Sequence, residues 1–231
     1  IAIDLTGYTA QNRAEIFAMK VAPIQINYLG YTSTTGADYM NYLIADKTII
    51  PEKNKKYYSE KIVYLPNNYM VNESKVKVSE KLFIRKDVGL PAEGFVFCCF
   101  NTHFKISPIT FAGWMRILKA VDGSVLWLLP KNENAVKNLK KEAKKHGIDE
   151  SRLIFAPSLD LNEDHLSRQK LADLFLDTLP YNAHITASEA LRMGLPVLTC
   201  MAQAFSGRVA ASLLKAVNLS EMITTTQEQY E

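Results

Sequence analysis

The stretch Phe95-Val96-Phe97-Cys98-Cys99-Phe100, continued by Asn101-Thr102-His103-Phe104-Lys105-Ile106-Ser107-Pro108, joins an apolar run to a polar loop and a helix start. An unbroken apolar run of this length describes a strand buried on both faces, as in a parallel sheet covered by helices. The unit recurs downstream. Pro108 to Ala120 is patterned as a helix, Val125 to Leu129 as a strand, Ala135 to His146 as a helix closed by Gly147, and Leu153 to Ala156 as a strand. His165 to Leu171 suggests a short helix, Ala172 to Leu176 a strand, Ser188 to Met193 a helix ended by Gly194, Pro196 to Cys200 a strand, and Phe205 to Ala216 a last helix. This alternation predicts an α/β fold with a doubly wound parallel sheet. Ligands of such sheets sit beyond the carboxyl ends of the strands, here the loops after Phe100, Leu129, Ala156, Leu176 and Cys200.

Upstream, the elements are shorter. Ile1 to Leu5 alternates as a strand, and Ala10, Ala14, Ile16, Phe17 and Ala18 share one face of a helix expected over Thr9 to Lys20, before Pro23. Ile24 to Leu29, Asn41 to Ile44 and Ile62 to Leu65 read as strands, Gly30 to Gly36 as a loop, and Lys53 to Lys61 as a polar helix. Asn72 to Lys86, charged and followed by Gly89, Pro91 and Gly94, is the candidate linker. Both ends read as cut: the first strand has no initiator Met, and Thr224 to Glu231 is polar and leads into no further element. A fragment of a longer protein is expected.

Composition removes several function classes. At 231 residues and 48% hydrophobic, the chain can bury a core without disulfides or a structural metal. Its three cysteines lie in apolar runs and form neither a framework nor a Cys-x-x-Cys, which points to a reducing, cytoplasmic compartment. A net charge of +3 is no nucleic-acid footprint. The basic residues gather in Lys131 to His146, where Lys137, Lys140, Lys141, Lys144 and Lys145 alternate with Val136, Leu139 and Ala143 as the solvated face of a helix, a phosphate-binding patch being the alternative. No apolar stretch approaches the ~20 residues of a membrane span. His103, His146, His165 and His184 fall at no metal-ligand spacing, so a metal-independent site is expected. The motifs of dinucleotide dehydrogenases, P-loop ATPases, serine hydrolases and zinc proteases are missing from the sequence.

Two loops carry candidate chemistry. In the first, Ser107 is placed to cap a helix opened by Pro108, and Lys105 adds a positive charge beside that helix start, which suits an anion or is simply a solvated lysine. In the second, Asp177 to Glu189, small residues open a helix at about Thr186 and leave backbone N–H groups free for phosphate. Glu189 is expected in its first turn, to complement the dipole or to bind ribose hydroxyls. His184 is either a loop histidine or a catalytic one. His165, after a third strand, offers an aromatic face to a base or is an exposed helix-start histidine.

Several runs, in order and across the whole chain, resemble the catalytic region of the O-GlcNAc transferase and SPINDLY family, in its bacterial-type form. They are Asp4 to Thr9, Ala22 to Gln25 with Leu29-Gly30-Tyr31, Tyr58 to Lys61, Ser124 to Leu129, Leu171 to Thr178, Tyr181 to His184, Gly194 to Thr199 and Arg208 to Ser212. The resemblance implies a GT-B glycosyltransferase with two Rossmann-like domains around a nucleotide-sugar cleft. Residues 1–79 would be the distal part of the first, catalytic domain and residues 80–231 the nucleotide-sugar-binding second domain. It implies an inverting, metal-independent transfer of GlcNAc from UDP-GlcNAc to Ser or Thr of proteins, with tetratricopeptide repeats upstream and little activity in the isolated fragment. GDP-fucose is the alternative donor, and a non-catalytic nucleotide-sugar-binding or protein-interaction module is the alternative class.

Carried over by position, Lys105 and His184 would be catalytic. Lys105, the segment from His184 and the Thr186 hydroxyl would meet the diphosphate, and Glu189 the ribose. His165 would pack on the base with Arg168 beside it, while Leu29 and Gly30 would border the sugar. The family's His-Thr-Thr is His184-Ile185-Thr186 here, and Tyr181 stands where animal members have a Cys bordering the sugar. Asn162, Thr102 and Arg192 are further departures.

Overall fold

A computed structural model describes residues 1–130 and 132–231. Two parallel sheets form. The first runs β1 (Ala2–Asp4), β2 (Gln25–Asn27), β3 (Tyr42–Ala45), β4 (Lys61–Tyr64) in simple order, with α1 (Ala14–Ala18) between β1 and β2. The second holds β5 (Val96–Cys99), β6 (Val125–Leu128), β7 (Leu153–Phe155), β8 (Leu174–Leu176), β9 (Val197–Cys200) and β10 (Ile223–Thr224). Its order is β10-β9-β8-β5-β6-β7. The chain winds outward from β5 to β7, returns to β8 beside β5, and winds the other way, so the order reverses between β5 and β8.

The apolar strands are buried as their runs demand: β5 and β6 have all residues inside, and Trp127 and Trp114 are wholly covered. Each such side chain contributes roughly 1.5–3 kcal/mol of burial. The crossovers are α2 (Pro108–Ala120), α3 (Glu133–Lys145), α4 (Asn162–Arg168), α5 (Ile185–Arg192) and α6 (Val209–Ala216). α2 starts where Pro108 and Ser107 predict, with Ser107 Oγ accepting the Thr110 N–H at 3.2 Å. α3 ends at Gly147, whose φ of 71° is the left-handed stop. Lys131, the first residue of the basic run, lies outside the described residues.

Some expectations are corrected. The helix over Thr9 to Lys20 shrinks to α1, because the Asp4 carboxylate takes the N–H groups of Thr6 and Gly7 (2.9 Å each) and Gln11 is left-handed at φ 60°. Lys53 to Lys61 gives only a 3₁₀ turn, Glu52–Tyr57. The polar tail is ordered: it adds β10 and a short helix α7 (Gln227–Tyr230), and Tyr230 is 2% exposed.

The two sheets meet through a polar seam. Asp46, at the end of β3, accepts the N–H groups of Thr48 (2.8 Å), Ile49 (2.9 Å) and Tyr69 (2.9 Å) and the Ser212 hydroxyl from α6 (2.7 Å). Arg208 spans the seam by donating to Thr48 O at 2.7 Å and Ala202 O at 3.0 Å. Among the described residues, no helix is long and apolar enough to cross a membrane.

Candidate functional site

β5 and β8 are neighbours at the reversal of strand order, so the loops that follow them converge. Lys105 comes from the first loop, and His184 and Thr186 from the second. What holds them is Asp177, fully buried directly after β8. Its Oδ1 accepts the N–H groups of Thr178 (2.7 Å) and Ala183 (2.6 Å), and its Oδ2 accepts the Thr199 hydroxyl (2.6 Å). Asn101 stitches the loops together, donating to Thr178 Oγ1 at 2.8 Å and accepting the Thr186 hydroxyl. From below, the Tyr230 hydroxyl donates to Asp177 O at 2.9 Å and takes the Trp114 indole N–H at 3.1 Å. Burial pushes the Asp177 carboxyl up to about 7, against the Thr199, Ala183 and Thr178 donors and the Lys105 charge, which favour the anion.

This web aims the start of α5 into the cleft. No acceptor among the described residues takes the N–H groups of Ile185, Thr186 or Ala187, and His184 at the cap position makes no side-chain cap. Free donors at a helix start form an anion site. Glu189 falls in the second turn rather than the first, because α5 opens at Ile185; it completes no capping box, and burial raises its pKa.

Lys105 is half-buried. Its Nζ donates to Asn182 O at 2.9 Å and lies 4.1 Å from the centre of the Tyr181 ring. Burial lowers its pKa, opposed by the nearby Asp177. The other partner of Tyr181 is His184, stacked at 4.9 Å and 25°. His184 Nε2 is 3.2 Å from Ser206 O, and since a carbonyl only accepts, Nε2 carries the proton. Burial, with the Lys105 charge, lowers His184 to about 4. Near neutrality its Nδ1 is therefore an acceptor, suited to a hydroxyl rather than to phosphate.

The facing wall belongs to the first sheet. Tyr181 Oη reaches across to Thr32 Oγ1 at 3.4 Å. Leu29, at φ 72°, and Gly30 lie three and two residues before Thr32, in a tight turn closed by the Gly30 N–H on Tyr28 O at 3.0 Å. A Cβ at position 30 would stand 2.2 Å from Leu5 O, so only glycine fits.

His165 and Arg168 form a unit on α4. Arg168 donates to His165 Nδ1 through Nε (3.1 Å) and Nη2 (2.8 Å) and to Pro157 O through Nη1 (2.6 Å). His165 packs edge-on against Phe100 at 5.3 Å, and burial, then the Arg168 charge, lowers it to about 4. Arg168 is 1% exposed, so it stands behind His165 and fixes that ring's tautomer instead of lining the cleft beside it. Sequence reasoning missed Asp177 as the organiser and Tyr230 as its support. The one local signal was a carboxylate directly after a buried strand. Among the described residues, no group of three or more His, Cys, Asp or Glu is placed to hold a metal ion.

Two parallel sheets facing across a cleft, with free helix N–H donors at the reversal point of the second, are the architecture of a GT-B type glycosyltransferase. The profile of Glycosyl transferase family 41 matches residues 1–80 and 72–231. The chain belongs to that family. It is 39% identical over its whole length to the probable UDP-N-acetylglucosamine–peptide N-acetylglucosaminyltransferase SEC of Arabidopsis thaliana, covering 24% of that protein. The corresponding SPINDLY protein of Solanum lycopersicum is 31% identical over the whole chain, which covers 25% of it. A solved mutant of Thermobaculum terrenum O-GlcNAc transferase superposes with a TM-score of 0.87 at 29% identity, over 99% of this chain and 43% of that one. The chain thus spans about a quarter of the length of these curated relatives.

Proposed function

We propose that the chain carries the donor site of a protein O-GlcNAc transferase, which moves GlcNAc from UDP-GlcNAc to Ser or Thr of acceptor proteins in the cytoplasm. The observation that carries this reading is that the Lys105 loop and three N–H groups of α5, which take no acceptor among the described residues, leave neighbouring strands at the reversal of strand order. These groups stabilise the charge that grows on the nucleoside diphosphate as the bond to the anomeric carbon breaks, and a hydroxyl attacks that carbon from the opposite side with inversion. In this reading His184 Nδ1 accepts a sugar hydroxyl, Leu29 and Gly30 border the sugar, His165 faces the base with Arg168 behind it, and Glu189 meets the ribose. Residues 1–79 act as the distal part of the first domain and residues 80–231 as the nucleotide-sugar domain, with tetratricopeptide repeats in the parent protein. Calorimetric titration of the chain with UDP and GDP, without metal, tests this. Preferential UDP binding is expected; a GDP preference, or no binding of either, overturns it.

A further inference from the structure

The cleft continues outward from His184 as a groove between the two sheets. Its inner part, about 400 Å³, is lined by Thr32, Ser33, Asn54, Tyr57, Gln203 and Ser206, among others. Ser206 is the residue whose carbonyl receives His184 Nε2, so this end abuts the donor site. The outer part, about 590 Å³, shares Asn54, Tyr57, Gln203 and Ala204 with the inner part and opens onto Lys53 and Lys56.

Both walls are built. On the first-sheet side the buried Glu60 carboxylate accepts the Thr34 hydroxyl and the Thr35 N–H, each at 2.6 Å, and pins the loop. Opposite, Gly207 packs so closely that a Cβ would lie 2.6 Å from Pro180 O, and Phe205 is buried edge-on against Tyr69 at 5.2 Å. The charge at the outer end is unbalanced. Lys55 is paired with Glu52 at 2.9 Å, but Lys53 and Lys56 are exposed and have no acidic partner among the described residues.

We propose that this groove holds the polypeptide that flanks the acceptor Ser or Thr, and that Lys53 and Lys56 select acidic residues in that flank. The proposal rests on the glycosyl-transfer reading above. Hydroxyls and amides along the inner wall pair equally with the N–H and C=O groups of an extended backbone. A nucleic acid would need cations along the whole groove, and here they stand only at its mouth.

The test is fluorescence anisotropy of short labelled peptides on the chain with UDP present, at low salt. Each peptide has a central Ser, with one flank rich in Asp and Glu or with Asn and Gln in their place. The acidic peptide is expected to bind about tenfold more tightly than the neutral one, as two exposed ion pairs allow. The Lys53→Glu, Lys56→Glu double variant should erase that preference while UDP affinity, measured by calorimetry, stays unchanged. Equal binding of both peptides, an undiminished preference in the variant, or displacement by oligo-dT as effective as by the unlabelled acidic peptide would each overturn the proposal. So would the absence of any peptide binding. Failure to bind UDP alongside lysine-dependent peptide binding would sink the donor-site reading and leave the groove assignment standing.

Discussion

Replacing Lys105 with alanine removes an ammonium held on the loop that leads into α5, at Asn182 O and over the Tyr181 ring. Two unit charges about 4 Å apart attract by roughly 4 kcal/mol at an effective dielectric of ~20. Against this, the ammonium gives up its hydrogen bond to Asn182 O, formed at 2.9 Å in the free chain. That bond joins the charge to a neutral carbonyl while the ligand bond joins two opposite charges, so only part of the attraction is cancelled, and hydrogen bonds to charged groups are worth about 1.5–3 kcal/mol. The expected loss is therefore about 1.5–3 kcal/mol, or roughly 10- to 150-fold in Kd for UDP. Because Lys105 is already partly desolvated, as its lowered pKa records, little of this attraction is spent on stripping water from it when the ligand arrives. The assay is calorimetric titration of wild type and Lys105→Ala with UDP at two salt concentrations, with thermal unfolding to show that the variant is folded. A Kd within twofold of wild type in a folded variant would refute the reasoning, because the anion would then be held elsewhere.

Other outcomes follow from the supports of the site. Tyr230→Phe strands the Trp114 N–H, which is 0% exposed, and should cost about 1–3 kcal/mol, lowering Tm by about 2–4 °C per kcal/mol. An unchanged melting curve would show that the phenol does not hold the loop. Gly30→Ala drives a methyl to 2.2 Å from Leu5 O and should destabilise by about 1–3 kcal/mol, read as a lower urea midpoint. His165 stands near 4 in the folded chain, against ~6.5 for a free histidine, so between those values the unfolded chain binds more protons. Its contribution to stability is complete above about pH 6.5 and drains away as pH falls toward 4. Asp177, raised to about 7, acts in the opposite sense over much of that range, so the comparison must be with His165→Gln. The stability gap between wild type and that variant should narrow from pH 7 to pH 5 in urea unfolding; a constant gap would contradict the buried, neutral imidazole.

What was legible in the sequence is what local chemistry specifies. Continuous apolar runs such as Val96 to Cys99 announce strands covered on both faces, and Ser107-Pro108 announces a helix start, because both signals lie within a few residues. That Lys105 and the segment from His184 lie in loops after neighbouring strands was readable for the same reason, from the strand runs that precede them. The Asp177 web was not, since its partners Thr199, Asn101 and Tyr230 are brought together only by tertiary folding. α7 is four residues long, too short for a helical period to register. α1 was overestimated because nothing local in Thr9 to Lys20 reveals that Asp4 claims the backbone upstream of it. The position of Arg168 behind His165 likewise depends on burial, which a spacing of three residues does not disclose.

The pairing of β5 with β8 also sets an order in time. The loops carrying Lys105 and His184 leave strands whose facing residues, Phe97 and Leu174, are separated by the whole α2–β6–α3–β7–α4 excursion. On a ribosome, the first loop emerges long before anything exists to complete it, and Tyr230 closes on Asp177 later still. The loops carrying Lys105 and His184 therefore meet only once the whole span from β5 to β8 has been made, which makes their pairing a late, long-range step in building the second sheet.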